Sequence, residues 1–328
     1  MRRTIFSIMA VAAASLLSAN AAWAQAGAQD WPSQSVKVVV PFTPGGSNDV
    51  LARLLGQKLQ QTWKQPFVVE NRAGAAGNIG TDAVAKAAPD GNTLLIAPNN
   101  VVCMNPSLYA KLPFDPAKDF VYTNLLGTLP VVLVVNPSVP AKTPAELVAY
   151  AKANPDRLAY GSSGAGSPQH LSAELFKSGT KAPLLHVPYK GAAPATNDLL
   201  AGQIQVLFGP INSVLPHIKA GKLRALAVGG DKRVAELPGV PTINETVMPG
   251  YNSDIWISLA APAGTPNDII EKLHREVNKV MAEPDTKEKL AGQGIEPGGG
   301  SRKALEDMIK ADCARWSKLI KEAKIRAD

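Results

Sequence analysis

The chain has 328 residues, of which 45% are hydrophobic and 19% charged, and its formal net charge is +7. Lysine and arginine are scattered along the sequence instead of forming blocks, which argues against a nucleic-acid-binding protein. The length exceeds what one hydrophobic core usually covers, so we expect two domains, and the mild positive excess would suit an anionic solute.

Residues 1–24 have the features of a secretory signal peptide. Arginines at positions 2 and 3 precede an apolar run over 5–17, and residues 22–24 (AWA) match the small-x-small pattern that signal peptidase cleaves. The apolar run is shorter than the ~20 residues that span a bilayer, and no later stretch without charges approaches that length. We therefore expect a soluble mature protein that begins near Gln25 and is secreted across the inner membrane into the periplasm.

The rest of the chain alternates short apolar strands with amphipathic helices. Residues 35–42 (SVKVVVPF) predict a strand, and the turn at 43–48 opens a helix with an apolar face. Two further helices are predicted at 144–153 and 171–177. Further strands are predicted at 67–70, 93–97, 130–135, 157–160, 184–187, 205–208, 223–228 and 255–260. This alternation is typical of an α/β fold with parallel-rich sheets that carry helices on both faces.

Two long apolar segments, Leu126–Asn136 and Asn252–Pro262, are suited to crossing between two lobes. If the chain leaves the first lobe at one segment and returns at the other, residues 25–125 and 251–328 form lobe one. Residues 126–250 then form lobe two. This layout predicts a cleft with two hinge-crossing strands.

Three glycine-rich loops, at 44–49, 74–80 and 161–167, are candidates for ligand contacts. The first and third follow a predicted strand and precede a predicted helix, where unpaired N–H groups favour an anion. Neutral hydrogen-bonding side chains accompany them: Ser47, Asn48, Ser162, Ser163 and Ser167. One such loop from each lobe would suit a carboxylate held by neutral donors. The alternative is that glycine and serine only make tight turns and helix caps.

Nucleotide and metal sites have weaker support. The second loop has the spacing G-x-x-G-x-x-G, whereas a dinucleotide fingerprint requires G-x-G-x-x-G and an acid about 20 residues later. Asp90, the nearest acid of that kind, falls in a Pro-Asp-Gly turn. No two of the four histidines have metal-ligand spacing with a cysteine or an acid. We expect no cofactor and no metal.

A hydrolase is the rival enzyme hypothesis. Residues 161–165 (GSSGA) approximate a G-x-S-x-G nucleophile elbow with alanine in the last place, and Asp198 and His217 could complete a triad with Ser163. However, the sequence around His217 is typical of a short helix and its cap. We therefore expect no catalytic residues, and a serine esterase remains the alternative.

Two polar positions near helix starts have competing interpretations. His170, at the opening of the third helix, could face the cleft, or it could be a capping or half-exposed residue. Asp49 and Arg53 have the i, i+4 spacing of an ion pair. Because a carboxylate would repel an anionic ligand, we interpret Asp49 as structural.

The two cysteines, Cys103 and Cys313, lie far apart in the sequence. In an oxidising compartment they could form a disulfide that closes a long loop, or they could be two buried thiols. Sequence alone does not show whether they approach each other, so both possibilities stand.

Several motifs resemble one family. Residues 40–53 (VPFTPGGSNDVLAR) resemble the opening signature of substrate-binding proteins of tripartite tricarboxylate transporters, also called Bug-type receptors. Residues 69–80 (VENRAGAAGNIG) look like the second motif of that family. Further motifs in the family style occur at 160–164, 187–191, 215–228 and 261–266. The resemblance spans essentially the whole mature chain.

The resemblance implies a two-lobed periplasmic binding protein fold of type II-like architecture. Such a receptor closes around a dicarboxylate, a tricarboxylate, an acidic amino acid or an aromatic acid, and docks on integral membrane permease subunits. We expect it to be a monomer, with no nucleic-acid partner and no enzymatic activity. A ligand sensor that docks on a signalling membrane protein is the remaining alternative.

The resemblance also assigns candidate contacts. The family holds the ligand carboxylate largely by backbone groups and ordered waters at the loop from Phe42 to Asn48, and loops of the second lobe complete the site. The candidate ligand-binding residues are Phe42, Gly46, Ser47, Asn48, Asn78, Asn99, Ser162, Ser163, Ser167, His170, Gly191, Ala192, Gly209 and Asn212. Many relatives carry an aspartate where this chain has Gly209, and Asn99 and Asn100 replace small hydroxyl residues. Because that aspartate is missing, a carboxylate ligand without an amino group is favoured over an amino-acid ligand.

Overall fold

The computed structural model describes residues 31–326, so the predicted signal peptide at 1–24 lies outside the described residues. The strands form two sheets that helices cover, which confirms the predicted α/β fold. The strands are β1 (Val36–Val40), β2 (Phe67–Asn71), β3 (Thr93–Pro98), β4 (Phe120–Leu129), β5 (Val131–Val135), β6 (Ala159–Ser162), β7 (Leu185–Pro188), β8 (Val206–Pro210), β9 (Arg224–Val228), β10 (Ile255–Pro262) and β11 (Glu296–Pro297).

Helices connect most of these strands. The helices are α1 (Ser47–Trp63), α2 (Asn78–Ala85), α3 (Asn105–Leu108), α4 (Pro144–Ala153), α5 (Pro168–Thr180), α6 (Ala192–Leu200), α7 (Ile211–Lys219), α8 (Ile243–Thr246), α9 (Asn267–Ala282), α10 (Pro284–Ala291) and α11 (Arg302–Glu322). A 3₁₀ turn precedes α2 and a π-helical turn precedes α3. Within residues 31–326, no helix combines the length and apolar character that a bilayer crossing requires.

The first sheet has the strand order β11-β4-β10-β3-β1-β2, and the second has the order β7-β6-β8-β5-β9. β1 lies parallel to β2 and β3, and β6 lies parallel to β7 and β8. The remaining pairs, which involve β4, β5, β10 and β11, are antiparallel. Four of the nine strand pairs within residues 31–326 are therefore parallel, so both sheets are mixed and not parallel-rich as predicted. The parallel strands bring the loops that follow β1, β3, β6 and β8 to the facing edges of the two sheets, because parallel strands end at the same edge.

The chain passes from the first sheet to the second at Pro130. β4 ends at Leu129 in the first sheet, and β5 begins at Val131 in the second. Proline has no N–H to donate to a ladder, so the apolar segment Leu126–Asn136 is two strands and not one. The Pro130 carbonyl instead accepts a hydrogen bond from the N–H of Ile211 at 3.1 Å. The chain returns to the first sheet at the start of β10.

The apolar face that the sequence predicts for the first helix, α1, is buried. Leu51, Leu55 and Leu59 recur every four residues and are at most 1% exposed, because this face packs against the first sheet. The helix begins directly after the loop that follows β1. Burial of this face therefore fixes the direction in which the helix N-terminus points.

Cys103 and Cys313 are joined in a disulfide. Cys103 lies in the π-helical turn after β3, and Cys313 lies in the middle of α11. The bond decides between the two possibilities that the sequence leaves open. It ties the C-terminal helix to the segment that follows β3.

Candidate functional site

Four helices begin around one small cavity between the two sheets, which we call the cleft cavity. Its volume is about 20 Å³, which is room for roughly one water molecule. The cavity is lined by Phe42, Thr43, Gly46, Ser47, Asn48, Pro98, Ser163, Pro168, Gln169, Ala192, Pro210 and Ile255. None of these lining residues carries a charged side chain. The lining includes the first residues or caps of α1, α5, α6 and α7.

The start of α1 presents unpaired donors to the cleft cavity. Gly46 caps the helix without a side-chain hydrogen bond, and its carbonyl accepts from the N–H groups of Asp49 and Val50 at 3.0 Å. Ser47 and Asn48 occupy the first two helical positions, where the N–H groups have no intrahelical partner. The Asn48 Oδ1 atom is buried and also without a partner.

Asp49 stabilises the loop that precedes α1 by accepting hydrogen bonds. Its carboxylate accepts hydrogen bonds from Gly45 N–H at 3.1 Å, Arg53 Nε at 2.9 Å and Asn71 Nδ2 at 3.0 Å. Burial raises the pKa of Asp49, but these hydrogen bonds outweigh burial and leave that pKa below its usual value. The predicted ion pair with Arg53 is confirmed. Asp49 is a structural residue that fixes the turn.

We call residues 162–167 the serine loop; it connects β6 to α5 on the opposite side. Ser163 Oγ accepts a hydrogen bond from the side chain of Gln169 at 2.6 Å, and both residues line the cleft cavity. Ser167 caps α5, since its Oγ accepts from the N–H of His170 at 3.4 Å. Pro168 occupies the first helical position, where a missing N–H costs nothing.

The starts of α6 and α7 complete the opposite side. Gly191 precedes α6, and a Cβ atom placed there would overlap Thr43 Oγ1 and lie 3.1 Å from Thr43 Cβ, so a side chain at position 191 requires Thr43 to move. Pro210 precedes α7 and lines the cleft cavity. Asn212 Oδ1 and Ser213 Oγ, in the first turn of α7, are buried without a hydrogen-bond partner.

The structure brings six of the predicted site residues to the cavity wall: Phe42, Gly46, Ser47, Asn48, Ser163 and Ala192. The other eight do not line it: Asn78, Asn99, Ser162, Ser167, His170, Gly191, Gly209 and Asn212. Asn78 accepts from Asn105 at 2.6 Å in a buried amide network, and Asn99 donates to the carbonyl of Asp254 at 3.1 Å. Gly209 is buried within β8.

Six lining residues are absent from the predicted site residues: Thr43, which lies within the predicted loop from Phe42 to Asn48, and Pro98, Pro168, Gln169, Pro210 and Ile255. Pro168 and Gln169 had a usable signal, because they open the helix that Ser167 caps. Pro98 and Ile255 had none, since they are ordinary strand residues. They reach the cavity wall through the pairing of β3 with β10.

A stacked group of rings lies behind the serine loop. The His170 ring stacks on that of His186 with centroids 4.3 Å apart, and His186 stacks on Tyr160 at 4.8 Å. Burial lowers the pKa of both imidazoles to about 4, so both are neutral at neutral pH. His170 is therefore neither a half-exposed residue nor part of the cavity wall.

The two sides of the cleft touch each other beyond the cavity. The Tyr109 hydroxyl, just after α3, donates a hydrogen bond to the carbonyl of Ala165 in the serine loop at 2.8 Å. Gly166 lies against Tyr109 and Asn105, because a Cβ atom there would lie 3.2 Å from the Tyr109 ring. These contacts join the first-sheet side directly to the second-sheet side.

The residues proposed for an esterase triad are not assembled. Ser163 Oγ bonds to Gln169, Asp198 accepts from the Tyr189 hydroxyl at 2.7 Å, and His217 lies in the last turn of α7. The serine that contacts a histidine is Ser162, whose Oγ lies 2.6 Å from His186 Nε2. Ser162 is fully buried.

A larger groove of about 540 Å³ lies beside the segments that connect the sheets. Its lining includes Asp231, Asp254 and Glu296 as well as Lys232 and Arg233, and no helix begins among its lining residues. With Glu236, the lining has four carboxylates, and together with the lack of helix N-termini they make this groove a poorer anion site than the cleft cavity.

Comparison with known proteins gives consistent matches over most of the chain. Residues 51–325 match the family model described as tripartite tricarboxylate transporter family receptor. The protein BugT of Bordetella pertussis is 38% identical over 300 residues, which cover 91% of this chain and 92% of BugT.

Two solved structures with bound acids are also similar. R. palustris Rpa4515 with adipate is 39% identical, with a TM-score of 0.88 and coverage of 90% of this chain and 99% of that chain. MatC from Rhodopseudomonas palustris with bound malate is 31% identical, with a TM-score of 0.85 and coverage of 88% and 100%.

Proposed function

The chain belongs to the tripartite tricarboxylate transporter receptor family, as its motifs predict, and we propose that it captures a small carboxylate between its two sheets and delivers it to a membrane permease. The receptors of this family are extracytoplasmic, and the proposed location of this chain is the periplasm. It acts there as a monomer and without turnover. The partner is a set of integral membrane permease subunits, with a signalling membrane protein as the alternative.

One observation carries the proposal: four helix N-termini meet at a cavity whose lining has no charged side chain. Each helix N-terminus is equivalent to roughly half a positive charge and presents N–H groups without intrahelical partners. Such a site attracts an anion without a lysine or an arginine. A carboxylate, with two acceptor oxygens and a single charge, fits these donors.

The arrangement of the donors favours a ligand with more than one polar end. Gly46, Ser47 and Asn48 approach from the first-sheet side, whereas Ser163, Gln169 and Ala192 approach from the second-sheet side. A dicarboxylate could place one carboxylate against each set. The adipate of Rpa4515 and the malate of MatC are acids of this class, which supports extending it to this chain. Tricarboxylates and aromatic acids are the other candidates.

Ligand capture by this route requires movement. A cavity of about 20 Å³ is far smaller than the ~300 Å³ of the smallest typical ligand pockets, so a dicarboxylate enters only when the two sides separate. We propose that the two predicted lobes move against each other, residues 25–125 and 251–328 as lobe one and residues 126–250 as lobe two. The boundary after residue 125 is shifted to Pro130, because residues 126–129 belong to β4 of the first sheet. The hinge then comprises the segment at Pro130 and the segment that precedes β10.

The proposal is tested by a binding screen of residues 25–328, purified and stripped of ligand. Aliphatic dicarboxylates, tricarboxylates, aromatic acids and acidic amino acids are tested by thermal shift, and hits by calorimetry. A ligand at ~100 times its Kd adds ~2.7 kcal/mol of stability, which raises Tm by several degrees. If none of the carboxylates raises Tm, the proposal is wrong.

A charge change at the cavity wall makes the test specific. Asn48→Asp places a carboxylate beside the α1 N-terminus with almost no change of shape, and we expect at least a tenfold loss of affinity from like-charge repulsion. Asn197→Asp is the matched control, because Asn197 is exposed on α6 and does not line the cavity. Equal effects of the two variants would contradict this site. Ser163→Ala tests the esterase alternative, which requires ester hydrolysis that the variant abolishes.

A further inference from the structure

Two imidazole rings hold the serine loop from behind. The N–H of Gly166 donates to His170 Nδ1 at 3.1 Å, and this hydrogen bond is buried. At the other end of the loop, Ser162 Oγ lies 2.6 Å from His186 Nε2 and accepts from the N–H of Gly164 at 3.1 Å. The loop that supplies Ser163 to the cleft cavity is thus fixed at both ends.

The hydrogen bond from Gly166 defines the state of His170. Since a backbone N–H only donates, Nδ1 must be unprotonated, and the ring carries its single proton on Nε2. Gly166 has a φ of +89°, in the left-handed region that favours glycine, and it directly precedes Ser167, the cap of α5. The position of Gly166 therefore sets the direction of the α5 N-terminus.

The surroundings keep the ring neutral. His170 is buried and stacked on His186, so a charge on either ring loses solvation, and a charge on His170 disfavours one on His186. Glu174 favours protonation of His170, and Lys177 opposes it. Glu174 is itself occupied, because it accepts from the Tyr160 hydroxyl at 2.6 Å and from Lys177 Nζ at 2.7 Å.

We propose that His170 is a positioning residue for the carboxylate: its neutral ring holds the Gly166 N–H and thereby aims Ser163 and the N-terminus of α5 into the cleft cavity. This inference rests on the proposed function. His170 does not line the cavity, so it acts through the loop and not by touching the ligand. A protonated ring would turn Nδ1 into a donor, and the loop would lose its anchor.

The test compares two substitutions of similar size. His170→Asn keeps an acceptor, because the amide oxygen of the new side chain can take the place of the His170 Nδ1 atom, and we expect affinity within about threefold of the wild type. His170→Leu leaves the Gly166 N–H buried and unpaired, and we expect about tenfold weaker binding of the dicarboxylate identified by the screen. The inference is overturned if the leucine variant binds as well as the wild type, or if the asparagine variant is as weak as the leucine variant.

A pH profile separates positioning from general packing. Wild-type affinity should decline from pH 6 toward pH 4 more steeply than that of His170→Asn, which keeps His186 but has no titrating ring at position 170. The titration of the ligand itself cancels in this comparison. Parallel profiles for the two proteins would overturn the inference.

A measurement without ligand covers the case in which His170→Leu fails to fold. Nitrogen-15 spectra of the histidine rings of the wild-type protein distinguish a protonated Nδ1 from an unprotonated acceptor. We expect an unprotonated Nδ1 at pH 7, and a protonated Nδ1 would overturn the inference. If the wild type binds none of the acids, the proposed function fails instead, and these spectra still decide whether His170 anchors the loop.

Discussion

On the proposed lobe closure, the hydrogen bond from Tyr109 to the serine loop forms only when the two sides of the cleft meet, so it should contribute to ligand affinity. Tyr109→Phe removes the hydroxyl that donates to the Ala165 carbonyl at 2.8 Å and leaves the ring in place. When the lobes separate, water satisfies both groups. In the Tyr109→Phe variant, the closed form therefore lacks one hydrogen bond that stabilises it relative to the open form in the wild type.

The magnitude follows from that exchange. A hydrogen bond between neutral groups contributes about 1 kcal/mol net, which corresponds to about a fivefold rise in Kd. Because the bond holds the closed form together, most of the change should occur in the dissociation rate. Calorimetry gives Kd, and stopped-flow displacement gives the rate.

Tyr122→Phe is the matched control. The Tyr122 hydroxyl donates to the carbonyl of Pro116 at 2.9 Å, a bond of the same kind that lies wholly on the first-sheet side. This variant should lose stability without losing affinity. Unchanged Kd for Tyr109→Phe, or an equal loss of affinity for Tyr122→Phe, would refute the reasoning.

Three further predictions concern closure and stability. Gly191→Ala should weaken ligand binding by at least tenfold, because the new Cβ atom would overlap Thr43 Oγ1 when the loops meet. Gly239→Ala is the control, because Gly239 has open space around it, and calorimetry measures the Kd of both variants. Replacing Cys103 and Cys313 together by alanine should lower the free energy of unfolding by up to ~5 kcal/mol, because the disulfide joins residues 210 positions apart. Urea denaturation measures this loss, and a variant as stable as the oxidised wild type would contradict the prediction. Burial, and to a smaller extent the nearby charge of Asp231, raises the pKa of Asp254 to about 6, above the value of 3.8 for an unperturbed aspartate. Ionisation of Asp254 therefore lowers the stability of the folded protein, and that stability is recovered as pH falls from about 6 toward 4. Asp254→Asn should therefore be more stable than the wild type at pH 7.5, by on the order of 3 kcal/mol, and nearly equal to it at pH 4. Urea denaturation at both pH values measures the difference, and a pH-independent difference would exclude this cause.

The parts of the site with local signals were predictable from the sequence. The valines of β1, the glycines that follow them and the helical periodicity after Ser47 lie within one short stretch, so they predict the strand, the turn and the helix together. Ser167 likewise marks the start of α5 by the preference of serine for helix caps. These signals also place Ser47, Asn48 and Ser163 at a common edge.

The remaining features depend on contacts between distant segments. Pro98 and Ile255 become neighbours only through the register of β10 against β3, which no local pattern specifies. The ring of His170 in α5 stacks on that of His186 in β7, which lies elsewhere in the sequence. The disulfide also depends on contacts between distant segments, because two cysteines can form a bond only when the fold brings them together.

The order of strands in the first sheet has a consequence for how the chain folds. β10 lies between β3 and β4, yet it is made only after the whole second sheet has been synthesised. The second sheet is formed by one continuous stretch from β5 to β9, and it can assemble as soon as that stretch has emerged. The first sheet is completed last, when its central strand inserts between two open strand edges and Cys313 reaches Cys103. A chain that stops before Ile255 would therefore retain an intact second sheet beside an unfinished first one.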